Sequence, residues 1–120
     1  MSNSLPPTPR GATVVVRSQT GLHLERPVFE LVELGSGKRH RFDCATVRIG
    51  AGAGNDVVLD RPTVSSVHAE LVVGDTGFRL RDLGSTNGTT VNGAPVIDPV
   101  ELNHGDTIVF GSVTVRFESA

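Results

Sequence analysis

The sequence has a single cysteine, Cys44, which excludes an intrachain disulfide and any metal cluster built on cysteines. Such a thiol reads as a buried or half-buried side chain in a reducing compartment. No apolar run approaches the roughly 20 residues needed for a bilayer-spanning helix, so no membrane partner is expected. Neither charge dominates. Charged residues make up 20% and the formal net charge is −2, too little to mark a nucleic-acid or acidic-membrane partner. The opening Met1-Ser2-Asn3-Ser4-Leu5-Pro6-Pro7 lacks the basic start and apolar stretch of a secretory signal, and a cytoplasmic location is expected. Helical periodicity is missing as well. No window carries apolar residues at i, i+3, i+4 and i+7 over three turns, and 14 glycines and 7 prolines leave few stretches that would tolerate a helix.

What is present is a succession of short apolar bursts between turn residues. At 120 residues the chain is one domain, able to remove roughly 65% of its unfolded surface from water. Residues 1–26 read as an N-terminal extension, rich in Pro, Ser and Thr up to Ala12 and largely disordered. Within it, residues 13–17 (Thr-Val-Val-Val-Arg) have strand propensity, which leaves an extra edge strand or plain linker open. Residues 18–26 look like loop. Residues 27–119 read as the folded domain, with strand candidates at 28–34, 38–43, 47–49, 57–59, 67–73, 78–83, 108–110 and 113–117. In the last of these, Val113, Val115 and Phe117 share one face, while Thr114, Arg116 and Glu118 share the other. The pairs Asn87-Gly88 and Asn92-Gly93 have the spacing of consecutive turns. Many short strands with frequent turn signals indicate an all-β sandwich without long helices.

The chain is organised around Asp82-Leu83-Gly84-Ser85-Thr86-Asn87-Gly88-Thr89. Phe78 and Leu80 before it suit a core and Arg79 and Arg81 suit water, so a strand leads into this stretch. Asn87-Gly88 tolerates positive φ and lets the chain turn. Ser85, Thr86 and Asn87 then stand together at a loop tip, two hydroxyls and a carboxamide suited to gripping a backbone or an anion. An ordinary polar turn is the competing reading of these eight residues.

Two catalytic or nucleotide-binding readings fail on the order of elements. Gly50-Ala51-Gly52-Ala53-Gly54 suggests a phosphate loop, but such a loop needs a following helix whose amides meet the phosphate. Here a turn and a strand, Asn55-Asp56-Val57-Val58-Leu59, follow, and no Gly-Lys-Ser/Thr ending is present. Ser65 and His68 could be imagined as nucleophile and base, yet their odd spacing in an extended segment would send them to opposite faces. The strand-to-helix elbow that exposes a nucleophilic serine is missing too. His68 instead reads as a buried imidazole bonded to loop backbone. His23, His40 and His104 read as surface or turn residues without metal-ligand spacing. No catalytic residue, metal or cofactor is expected.

Taken together, Gly50, the Asn55–Leu59 run, Val64-Ser65-Ser66-Val67-His68-Ala69, the Asp82 loop, Val91-Asn92-Gly93 and the segment 102–108 with Gly105-Asp106 resemble the forkhead-associated (FHA) domain in order and spacing. The resemblance covers about residues 29–117. It implies an eleven-stranded β-sandwich whose apical loops bind phosphothreonine peptides. It also implies a bacterial signalling setting, with the domain joined to a transcriptional regulator, a secretion component or a kinase-pathway partner. Carried over by position, Ser65 and Thr86 would give hydroxyls to the phosphate and Asn87 would bond the peptide main chain, with Ser85 beside them. Gly50 and His68 match positions that shape the loops, and Gly88 and Asn92 join them. Ser66 stands where the family more often has arginine or asparagine.

The departure that matters is Ala51, because the family usually carries a phosphate-gripping arginine after the glycine matching Gly50. Phosphothreonine brings about −1.5 to −2 charge and three strong acceptors. Each bond from a charged donor contributes about 1.5–3 kcal/mol net. Losing one or two would move a micromolar binder from about −8 kcal/mol toward roughly −4 to −6. Arg61, in the loop leading to Ser65, is the expected substitute cation, with Arg48 second. The alternative is docking of a partner or a neighbouring domain without phosphate, through the same loops or a sheet face.

Overall fold

The computed structural model describes residues 14–18, 21–25 and 27–119. Its strands are β1 (Val14–Ser18), β2 (Gly21–Glu25), β3 (Phe29–Glu33), β4 (Arg39–Phe42), β5 (Thr46–Gly50), β6 (Val57–Val58) and β7 (Ala69–Gly74). Then follow β8 (Gly77–Asp82), β9 (Thr89–Val91), β10 (Ala94–Pro95), β11 (Val100–Leu102), β12 (Thr107–Phe110) and β13 (Val113–Ser119). Eleven of them form two sheets, six strands in the order β10-β9-β12-β13-β3-β4 and five in the order β11-β8-β7-β5-β6. No helix occurs among the described residues, and the expected eleven-stranded sandwich is what the chain adopts.

Period-two alternation decides which side chains enter the space between the sheets. In β8, Phe78 and Leu80 are buried while Arg79 and Arg81 face solvent, and in β13 Val115 and Phe117 are buried while Arg116 is exposed. Phe29, Phe78 and Phe117 meet at ring-centroid distances of 4.9–6.0 Å, and Phe42 leans on Phe29 at 5.8 Å. Phe110 packs away from this cluster, edge-on to the His68 ring at 5.8 Å. Burying each phenylalanine contributes roughly 2–3 kcal/mol, so the aromatic cluster holds the sheets together and Phe110, at the end of β12, anchors the His68 side of the core.

The structure departs from sequence expectation in places where side-chain pattern carries little signal. Residues 21–25, expected as loop, pair antiparallel with β1, Val14 opposite Glu25 and Ser18 opposite Gly21. The disorder expected up to about Ala12 falls outside the described residues. β9, β10 and β11 were not anticipated, because each holds only two or three residues and β10 is largely exposed. Pro95 is tolerated because β10 is an edge strand. All sheet pairings are antiparallel except β5 with β6. That parallel pair is joined by a short loop, in which Asp56 N–H donates to the Arg48 carbonyl and Asp56 Oδ2 accepts the Arg48 N–H at 2.8 Å. A side chain thus stands in for backbone where the crossover is too short for a ladder.

Candidate functional site

The ends of β5, β7, β8, β9 and β12 deliver three loops, 51–56, 59–68 and 83–88, and the turn at 111–112 to one rim. Backbone bonds sew these loops together. Ala51 N–H donates to the Ser65 carbonyl at 2.9 Å and Gly52 N–H to the Ser66 carbonyl at 3.1 Å. Asn55 Nδ2 adds bonds to the Ser66 carbonyl at 2.6 Å and the Gly52 carbonyl at 2.8 Å. Gly50 is required by this seam. A Cβ there would lie 2.3 Å from the Ser66 oxygen and 2.8 Å from Asn55 Nδ2. The glycine run is therefore a place where two backbones touch, and its first amides are already spent on protein carbonyls rather than left for an anion.

His68 ties the second loop to the third. The ring is fully buried. Nδ1 accepts the Ser65 N–H at 3.0 Å, so the ring hydrogen sits on Nε2 and is donated to the Gly88 carbonyl at 2.9 Å. Leu83 N–H donates to the His68 carbonyl and Gly111 N–H to the Gly88 carbonyl. The histidine meets Ser65 through backbone, not through the hydroxyl, so no nucleophile–base pair exists here. Gly111, at φ +60°, is pressed against Thr63, whose oxygen would lie 2.2 Å from a Cβ. Thr63 Oγ1 also bonds Ser112 Oγ at 2.6 Å and accepts the Ser112 N–H at 3.0 Å.

The third loop is built on Asp82. Oδ2 accepts the N–H groups of Gly84 and Ser85 at 3.0 and 2.9 Å, and Oδ1 accepts the hydroxyls of Ser85 and Thr89 at 2.5 and 2.7 Å. Burial alone would raise its pKa, but the bonds from Ser85, Thr89 and Gly84 outweigh it and hold the carboxyl below the ordinary aspartate range. Ser85 is corrected by this geometry. Its hydrogen goes to Asp82 and its oxygen accepts the Gly88 N–H at 3.0 Å, so it shapes the loop and has no hydrogen left for a ligand. Gly88, at φ +86°, makes the turn for which it was singled out, while Asn87 keeps an ordinary φ. Asn92 does adopt positive φ, but at the far end of β9. There Nδ2 donates to Asp106 Oδ1 at 3.0 Å and Oδ1 accepts the Thr107 N–H at 2.9 Å, so it structures the opposite end of the sandwich rather than this rim.

Ser65, Thr86 and Asn87 lie together at this rim. Ser65 Oγ accepts the Thr86 N–H at 3.0 Å, and Asn87 Nδ2 donates to the Thr63 carbonyl at 2.9 Å. The Ser65 hydroxyl hydrogen, the Thr86 hydroxyl and the second amide hydrogen of Asn87 have no acceptor among the described residues. Thr86 and Asn87 are exposed and Ser65 half-buried. Ser66 is exposed and its hydroxyl has no hydrogen bond among the described residues, its carbonyl being the one the first loop uses. Ala51 is half-buried and packs against the core edge, bringing no charge to the rim. Of the two substitute cations, Arg61 is exposed, and the only hydrogen bond of its side chain among the described residues runs from Nη1 to the Asp60 carbonyl at 3.3 Å. Arg48 is turned onto the outer sheet face, where Nε meets Glu70 Oε2 at 3.3 Å, and is not a member of the rim. Asp82 and Asn55, which the sequence placed in motifs without a role of their own, and Thr63 and Gly111, which it did not single out, are the further residues that build the rim. Asp82 carried a signal, an Asp followed by Gly-Ser at the spacing of an Asx-turn. Thr63 and Gly111 carried none, because their partners are distant in sequence.

Comparison with known proteins places this geometry. The chain is 35% identical to the transcriptional regulatory protein EmbR of Mycobacterium tuberculosis over 101 residues, 84% of this chain and 26% of EmbR. It is 38% identical to the glycogen accumulation regulator GarA of the same organism over 82 residues, 68% of this chain and 50% of GarA. It thus spans about a quarter and a half of these relatives. The structure of M. tuberculosis EmbR in complex with a low-affinity phosphopeptide superposes with a TM-score of 0.75 at 34% identity, over 86% of this chain and 27% of that one. The FHA domain family profile matches residues 47–111, more than half of the chain and every loop of the rim, and the chain belongs to the FHA domain family.

Proposed function

We propose that this chain is a non-catalytic module that recognises a phosphothreonine-containing segment of a partner protein. The observation that carries the reading is the rim itself: two hydroxyl donors, Ser65 and Thr86, and the Asn87 carboxamide are held at one edge by bonds that leave their ligand-facing hydrogens unused. Hydroxyls of this kind suit phosphate oxygens, and a carboxamide with one donor and one acceptor free suits a peptide main chain. Arg61 supplies the cation that Ala51 withholds, its side chain being exposed and without an ion pair among the described residues. Ser66 lies beside Ser65 and adds a third hydroxyl. The relatives favour the same reading, since EmbR and GarA are regulators and an EmbR structure holds a phosphopeptide. The setting is then bacterial signalling in the cytoplasm, the module being residues 27–119 of a larger regulator and residues 1–26 its extension.

The test is a titration of phosphothreonine peptides and their unphosphorylated twins from an oriented library. Phosphorylated peptides should bind at least tenfold tighter, and Thr86→Ala and Arg61→Ala should each remove most of that difference. Equal binding of the twins across the library would overturn the reading in favour of docking without phosphate.

A further inference from the structure

A second surface lies on the outer face of the five-stranded sheet, below the rim and independent of phosphate recognition. Registers place Arg48 of β5, Glu70 of β7 and Arg81 of β8 in one row, and Val72 and Arg79 in the next. Glu70 is only 8% exposed, yet two guanidinium groups converge on it. Arg81 Nε lies 3.2 Å from Oε1 and Arg48 Nε 3.3 Å from Oε2. Both contacts run through Nε, and the terminal guanidinium nitrogens carry no hydrogen bond among the described residues. Arg79 has no ion pair among the described residues, although Glu101 stands opposite it on β11. Glu70, Val72, Arg79, Arg81 and Pro99 line a groove of about 280 Å³, and Val72 remains 37% exposed at its floor.

Here Glu70, with both oxygens engaged, holds two guanidinium groups, and Arg79 makes no ion pair with Glu101 opposite it among the described residues, so three arginines face two carboxylates. The excess is positive on a chain whose net charge is −2, so the charge is local. Arg79 and Arg81 are two residues apart on one strand, about 6.8 Å, which is also the spacing of alternate side chains in an extended peptide. Val72 and Pro99 between and beside them offer apolar contact that a nucleic-acid backbone would not use.

We propose that this face docks an extended, acidic polypeptide segment with carboxylates at alternate positions, lying across Arg48, Arg81 and Arg79 over Val72. The test uses the full chain, isotopically labelled, and an unphosphorylated peptide of alternating glutamate and serine, with its glutamine analogue. Backbone amides at 46–49, 70–73 and 79–82 should shift with the glutamate peptide and not with the glutamine one, while those at 84–88 stay still. Arg79→Glu breaks no ion pair and should weaken binding roughly fivefold or more, as should added salt. Lys38→Glu, on the turn before β4 in the other sheet, should leave binding unchanged. Absence of shifts, shifts confined to the rim loops, an unchanged affinity in Arg79→Glu, or tighter binding of a duplex oligonucleotide at the same amides would each overturn the proposal. Because the probe carries no phosphate, its failure leaves the phosphothreonine reading untouched, and the converse holds.

Discussion

Asp82→Asn removes one oxygen from a carboxylate that takes four hydrogen bonds, two from backbone N–H groups and two from hydroxyls. In either orientation the new NH₂ group faces two donors. Turned toward the amides, it meets N–H groups that cannot rotate. Turned toward the hydroxyls, it deprives Ser85 and Thr89 of the acceptor that takes both their hydrogens. About two bonds are lost or reversed. At about 1.5–3 kcal/mol for each bond to a charged group, reduced because the group is half-exposed, the cost is roughly 2–4 kcal/mol. Urea unfolding followed by far-UV circular dichroism reads this, since the chain has no tryptophan or tyrosine. The pH dependence is a second, independent readout. Asp82 is held below its ordinary pKa in the folded protein, so its contribution is complete above the unfolded value and is lost as pH falls through the folded one. The stability gap between wild type and Asp82→Asn should therefore be constant near neutrality, begin to shrink only below roughly pH 5, and be smaller in acid than at neutral pH. A gap under about 0.5 kcal/mol at neutral pH, or one that widens in acid, would refute the assignment of Asp82 as the loop's organising group.

Gly50→Ala forces a Cβ to within 2.3 Å of the Ser66 carbonyl and should cost about 3 kcal/mol and the phosphopeptide affinity together. Gly54→Ala, with open space around it, should stay within about 0.5 kcal/mol of wild type by the same denaturation assay. His68→Ala deletes a buried ring, two hydrogen bonds and the contact with Phe110; a loss of about 3–5 kcal/mol is expected, and amide exchange should speed at Ser65 and Gly111. Ser85→Ala and Ser65→Ala separate scaffold from contact. The first should lower stability by about 1–3 kcal/mol, whereas the second should lower phosphopeptide affinity at least tenfold for less than about 1 kcal/mol of stability.

The sequence by itself determined the strands that carry a core. Alternation at Phe78-Arg79-Leu80-Arg81 and Val113 to Phe117 specifies a pleat with one dry face, because a shift of one residue would expose every apolar side chain. It also determined the composition of the rim loop, where Ser85, Thr86, Asn87 and Gly88 are consecutive and need no long-range contact to be neighbours. Tertiary structure alone decided which of those groups is available. Ser85 and Thr86 are both hydroxyl residues on one loop, yet Ser85 is spent on Asp82 and Thr86 is not. That outcome depends on how Thr89, Gly88 and the loop backbone close around one carboxylate. The same holds for Gly50 and Gly111, which are small because segments distant in sequence pass within contact of them. It holds also for Arg48, Arg79 and Arg81. In sequence these are simply the polar half of an alternating pattern, and only the pairing of β5 and β8 with β7 sets them around a single glutamate. Local pattern is a property of neighbours along the chain, whereas the saturation of a hydrogen-bonding group depends on whatever the fold brings against it.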